Sequence, residues 1–275
     1  MLSVISMLKK RVITALWSIP LLIATVWFDR PFPWFTIIVA IWGLLAVYEF
    51  YRLVNTHKMP LLTSLGLIWT LLFIISPHFK HDFFTLPLLL TSAVVLSLIG
   101  LVLRYRKEGA FIGWAWTIAG ILYVGWLLSH FIELRGLTDG RNWVFFALFI
   151  TWASDTTAFF VGKALGRHHL VPNISPAKTW EGAVAGIGGA IIMSVLFFTH
   201  TPFHLPLSYG QAILLSMLVS VFGQLGDLVE SLLKRNVGVK DSGGLIPGHG
   251  GFLDRIDSVV FAVVVVYYYV IWVTP

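Results

Sequence analysis

The sequence predicts an all-α, polytopic integral membrane protein of about nine transmembrane helices with its N-terminus in the cytoplasm. Three observations predict it. Of 275 residues, 57% are hydrophobic and only 12% are charged, about half the charge of a soluble domain; mean hydropathy is +0.85. The apolar residues fall into segments close to the roughly 17–25 residues that cross a hydrocarbon core. Lys and Arg are divided very unequally between alternate loops.

The segments are residues 11–28, 34–51, 60–76, 83–103, 111–132, 142–162, 182–199, 209–233 and 257–273. The first follows Lys9-Lys10-Arg11, as a signal peptide does. No small-residue cleavage site follows it, and Trp27-Phe28-Asp29-Arg30 closes it like a membrane interface, so it reads as a retained span. The third is the shortest. With the N-terminus inside, the inner side holds Lys9, Lys10, Arg11, Arg52, Lys58, Arg104, Arg106, Lys107, Lys163, Arg167, Lys178, Lys234, Arg235, Lys240 and Arg255. The outer side holds only Arg30, Lys80, Arg135 and Arg141, a bias of 15 to 4 among the 19 basic residues. That asymmetry sets an odd number of spans and places every charge-rich loop in the cytoplasm.

Residues 1–80 read as a transmembrane scaffold of about three spans, and residues 81–275 as a catalytic region with cytoplasmic loops 163–181 and 234–256. The net charge of +6 follows from the positive-inside rule and anionic headgroups, so no nucleic acid is expected as a partner. With no Cys, disulfides and thiolate metal sites are excluded. His168, His169, His200 and His204 form no metal-ligand pattern and read as loop residues.

The chemistry concentrates late. Ser231 to Asp257 gathers three Asp, four Lys/Arg, one His and a run of glycines between two apolar segments. Upstream of it, Gln224, Asp227, Glu230 and Lys234 recur at helical spacing, on one face about two turns from the cytoplasmic end. A carboxylate at that depth costs several kcal/mol unless paired, hydrated or bound to a cation. The bland account is an ion pair of Lys234 with Asp227 or Glu230; the functional one is a metal or substrate site. Asp254 and Asp257 enter the last segment, where they can cap a helix, a role that suits Asp257 better. Gly250 and Gly251 beside His249 suit a backbone nest for phosphate oxygens. Lys234, Arg235, Lys240 and Arg255 surround them, and hard carboxylate oxygens beside phosphates suit Mg²⁺.

Asp155 lies within the sixth segment, with Ser154, Thr156 and Thr157 as local hydrogen-bonding partners. Ser175-Pro176 and Thr179 with Glu181 read as a helix start, and Lys178 as either an interfacial anchor or a phosphate contact. Gly182, Ala185, Gly186 and Gly189 offer a small-residue packing face.

Ser231, Lys234, Arg235, Lys240, Asp241, Gly243, Pro247, His249, Gly250, Gly251, Asp254, Arg255 and Asp257 fill, without a gap, a pattern that resembles the phosphatidate cytidylyltransferases (CDP-diacylglycerol synthases). The block Ser175-Pro176-x-Lys178-Thr179-Trp180-Glu181-Gly182 and the pairs Ser154-Asp155 and Gly226-Asp227 resemble the same family. Residues 150–258 carry the resemblance; Ala177 departs from it, standing where some relatives have Lys. The resemblance implies transfer of CMP from CTP to phosphatidic acid in phospholipid biosynthesis, with release of pyrophosphate. It also implies a dinuclear metal site around Asp227 and Asp254, with Asp241 or Asp257 assisting. Mg²⁺ is the expected cofactor, the second ion being either divalent or monovalent such as K⁺. Lys178, Ser175, Lys234, Arg235, Gly250, Gly251 and Asp155 are then expected at the substrates, and Lys240, Asp241, His249 and Arg255 at the reaction. The expected partners are CTP, phosphatidic acid and membrane lipid; a homodimer is left open. The implied location is a bacterial-type inner or plasma membrane. A CTP-dependent polyprenol kinase and a cation-coupled transporter remain alternatives.

Overall fold

The structure is a computed structural model that describes residues 20–28, 33–55, 62–79, 85–104, 108–198, 203–243 and 250–274. Residues 20–27 are helical, and the rest of the predicted first span lies outside the described residues. Among the described residues nine complete helices follow: α1 Trp34–Val54, α2 Thr63–Ile75, α3 Leu86–Arg104, α4 Ala110–Gly120, α5 Leu127–Arg135, α6 Gly140–Leu165, α7 Trp180–Phe198, α8 Tyr209–Asn236 and α9 Leu253–Val273. A π-helical stretch, Ile121–Trp126, joins α4 to α5, so Ala110–Arg135 runs as one span. Among the described residues seven helices are long and apolar enough to cross a membrane. The predicted third span is a shorter apolar helix, Thr63–Phe79, ending in a 3₁₀ turn at Ser76–Phe79.

The chain divides into two compact units, residues 1–132 with 237–254, and residues 133–236 with 255–275. In the first, Phe73, Leu89 and Ile121 form a buried cluster, with Leu65, Trp69, Leu72, Leu90, Ile118 and Trp126 packed on it. Tyr51 of α1 is held tightly here. Its hydroxyl donates to the Thr117 carbonyl at 2.8 Å. Gly66 of α2 and Gly120 of α4 press on its ring, where a Cβ at either would collide. Phe35 meets Phe131 edge-on at 5.1 Å.

In the second unit α6 and α7 run antiparallel along a seam of small residues. A Cβ at Gly182 would sit 2.7 Å from the Ala158 carbonyl, and one at Gly186 3.1 Å from that of Ser154. At Gly189 it would collide with Thr157. The small-residue face read from the sequence is therefore a packing face. Between these helices the predicted loop folds into a two-stranded antiparallel hairpin, β1 His169–Val171 and β2 Ser175–Thr179, pairing His169 with Thr179 and Val171 with Ser175. Ser175 and Pro176 therefore belong to a strand, and α7 starts only at Trp180. Pro176 is tolerated because a two-stranded sheet is all edge.

Candidate active site

In the second unit the hairpin delivers Lys178 to α8. Its Nζ lies 2.8 Å from Asp227 Oδ2 and donates to the Gln224 carbonyl at 3.3 Å. Ser231, one turn on, donates to Asp227 Oδ1 at 3.4 Å. Asp227 remains 37% exposed, so it is paired yet reachable. One turn nearer the C-terminal end of α8, Glu230 is fully buried and pairs with Lys234 at 3.2 Å, one of the two ion pairs allowed by the helical spacing. Asp257 of α9, 8% exposed, interacts with Glu230, Asp227 and Lys234. Its Oδ1 accepts from the Ser258 amide at 2.7 Å. Asp257 lies a full turn inside its helix and does not cap it.

Asp155 is accessible on α6, in the field of Asp257, Asp227 and Lys178. Two of the three local partners expected for it, Ser154 and Thr157, are engaged elsewhere. Ser154 bonds the Ser220 hydroxyl at 2.7 Å, and Thr157 donates to the Ala153 carbonyl at 2.7 Å. Gln224 turns back to the Ser220 hydroxyl and the Ala183 carbonyl, tying α8 to α7. Arg235 is exposed, its Nε donating to the Ile174 carbonyl at 3.1 Å in the hairpin turn. Arg255 is exposed and Ser175 is half-buried in β2. His168, read as a loop residue, contacts Glu181 at 2.6 Å and pins the start of α7 to the hairpin.

The first unit holds Asp254, in the opening turn of α9. Three donors converge on its Oδ2: the Ser242 hydroxyl at 2.8 Å, the Ser242 amide at 3.2 Å and the Gly251 amide at 2.9 Å. The cap-like role expected of Asp257 thus belongs to Asp254. Gly250 is left-handed at φ 83°, a conformation that favours glycine. The Gly251 amide is taken by Asp254, which leaves the expected phosphate nest one donor poorer. Lys240 and Asp241 lie exposed in a bend; His249 lies outside the described residues.

Sequence reasoning missed Glu49. It belongs to α1, inside a predicted span, and is 1% exposed. Its Oε2 accepts from the Leu253 amide at 3.0 Å and lies 3.5 Å from the Ser242 hydroxyl. The signal was available, since a lone carboxylate in an apolar segment is costly enough to need a reason.

For a metal ion, the second unit offers Asp155, Asp227, Glu230 and Asp257 against Lys178 and Lys234, an excess of carboxyl groups that are in part deeply buried. Among the described residues no three His, Asp or Glu side chains already converge on one point. Mg²⁺ needs no such cage, because it binds through one or two carboxylates, substrate phosphates and its own waters. The donor set fits it.

Comparison with known proteins identifies the family of the chain. The profile of the cytidylyltransferase family matches residues 9–273. The chain is 37% identical over 244 residues to a phosphatidate cytidylyltransferase of Bacillus subtilis (strain 168), covering 85% of this chain and 87% of that one. It is 34% identical over 222 residues to one of Staphylococcus haemolyticus (strain JCSC1435), covering 79% and 84%. It is 36% identical over 227 residues to one of Staphylococcus aureus (strain COL), covering 80% and 84%. A match that spans nearly the whole chain, polar face and apolar helices alike, makes this protein a member of the cytidylyltransferase family.

Proposed function

We propose that the protein transfers CMP from CTP to phosphatidic acid at the cytoplasmic face of the membrane, giving CDP-diacylglycerol and pyrophosphate. The observation that carries this reading is the Lys178–Asp227 pair at 2.8 Å. A phosphate-binding cation and a metal-binding carboxylate are held together at the end of a membrane helix, in a chain of this family. An oxygen of the phosphatidate phosphate attacks the α-phosphorus of CTP. The new P–O bond forms as the bond to the β-phosphate oxygen breaks, and pyrophosphate leaves with the electron pair. No general base is required, because the attacking phosphate is already anionic near neutral pH.

Such transfers depend on positioning and charge neutralisation. In the second unit Lys178, Lys234, Arg235 and Arg255 are the cations proposed to hold phosphates; in the first, Lys240 is. The carboxylates proposed to hold Mg²⁺ are Asp227 and Asp257 in the second unit, and Asp254 with Asp241 in the first. A bound divalent ion supplies neutralisation of charge on the phosphate oxygens. Before substrate arrives, Lys178 offsets the charge of Asp227. The exposed apolar faces of the spans, such as Val102, Leu103 and Phe159, suit acyl chains that remain in the bilayer while only the headgroup reaches the polar face.

The test is pyrophosphate release by the purified protein in detergent with CTP, phosphatidic acid and Mg²⁺. Release that needs all three, together with a CMP-bearing lipid, supports the reading. CDP without pyrophosphate makes the protein a CTP-dependent kinase. Activity unchanged after chelation of divalent ions removes Mg²⁺ from it.

A further inference from the structure

We infer that Glu49 is a positioning residue for Asp254, a role that rests on Asp254 serving the proposed reaction. Glu49 reaches across 204 positions of sequence to accept the Leu253 amide at 3.0 Å, the first residue of the helix that carries Asp254. The Phe252 amide also contributes. Helix-opening amides have no partner within their own helix, so a buried carboxylate is a strong way to fix where the helix begins. The Ser242 hydroxyl stands between the two acids, 2.8 Å from Asp254 Oδ2 and 3.5 Å from Glu49 Oε2. Glu49 Oε1 has no hydrogen-bond partner among the described residues.

The signature glycines report the same arrangement. A Cβ at Gly243 would collide with Glu49 Oε1, and one at Gly251 with Glu49 Oε2 and the Ser242 hydroxyl. Gly243 and Gly251 thus both close on one side chain, and glycine stands at both places because that side chain needs the space. Glu49 sits nearly two hundred residues before the signature, yet it completes it. Buried at 1% exposure, it acts through the Leu253 amide and Ser242, and these set the direction of Asp254.

The experiment compares E49A, E49Q and S242A with the wild-type protein in detergent. It reads kcat, KM for CTP and thermal midpoint. Loss of such a supporting contact costs about 10- to 100-fold, and that fall is expected in the kcat of E49A with KM changed less than about threefold. E49Q keeps an oxygen that accepts the Leu253 amide, and it is expected to recover activity to within about fivefold of the wild type. The double variant E49A/S242A is expected to be no more than about twofold worse than E49A, since the two act on one carboxylate. Undiminished kcat per folded molecule in E49A, with only the thermal midpoint lowered, overturns the inference. E49Q as impaired as E49A also overturns it, because charge rather than hydrogen bonding is then what matters. If E49A does not fold, S242A decides: a loss of about tenfold at constant KM supports the role, and full activity sinks it. A wild-type protein that releases no pyrophosphate fails the functional reading and this inference together, whereas an active wild type with an indifferent E49A fails this inference alone.

Discussion

Two carboxylates of the signature are held in opposite ways. Asp227, on α8, faces a lysine delivered by a hairpin. Asp254, at the start of α9, is held by two backbone amides and a hydroxyl. A lysine compensates charge at long range and swings away on a flexible stem; amides direct one oxygen and do not move. Under the proposed function the difference is a division of labour, with Asp227 the acid free to exchange its partner for a bound ion and Asp254 the acid fixed in direction.

The comparison breaks most severely at the acids themselves. D227N and D254N are each expected to lower turnover by about 10³-fold or more, as loss of a charge-neutralising ligand does; pyrophosphate release with CTP and phosphatidic acid measures it. An active D227N or D254N would remove that residue from the chemistry. The next effect sharpens the contrast. K178M, which removes the cation beside Asp227, is expected to lose about 10²-fold in kcat/KM for CTP. A smaller effect belongs to the amide-held side. G251A forces a methyl group against Glu49 and Ser242, and such overpacking costs about 1–3 kcal/mol, read as a lower thermal midpoint with reduced kcat. Smallest is H168A: its partner contact is 77% exposed on the histidine side, and exposed pairs contribute little. Activity within about twofold of the wild type is expected.

Much of the architecture was legible because lipid imposes strong composition rules. Predicted segments 34–51, 142–162, 182–199 and 209–233 correspond to α1, α6, α7 and α8 within a few residues at each end. The count was less legible. Thr63–Ile75 is apolar but has only 13 residues, a length that composition windows blur into a span. The hairpin at 169–179 was hidden because two short polar strands leave no hydrophobic alternation. In the site, helical spacing foretold the Glu230–Lys234 pair, since positions four apart meet on any helix. It could not foretell Lys178 with Asp227, or Glu49 with Leu253, because those contacts depend on how distant segments pack. Asp155 was legible as an intramembrane acid, but the neighbouring hydroxyls of Ser154 and Thr157 satisfy backbone and helix–helix contacts first.

Tyr51 sits two residues beyond Glu49 on the same helix, wedged between Gly66 and Gly120 with its hydroxyl fixed to Thr117. It works as a key in a slot. A helix free to slide by one residue would also rotate by about 100°, carrying Glu49 away from Leu253 altogether. The slot therefore fixes both slide and rotation of α1 from within. Enlarging Gly66 or Gly120 would shift the key, and the alignment of the polar segment some two hundred residues later would shift with it.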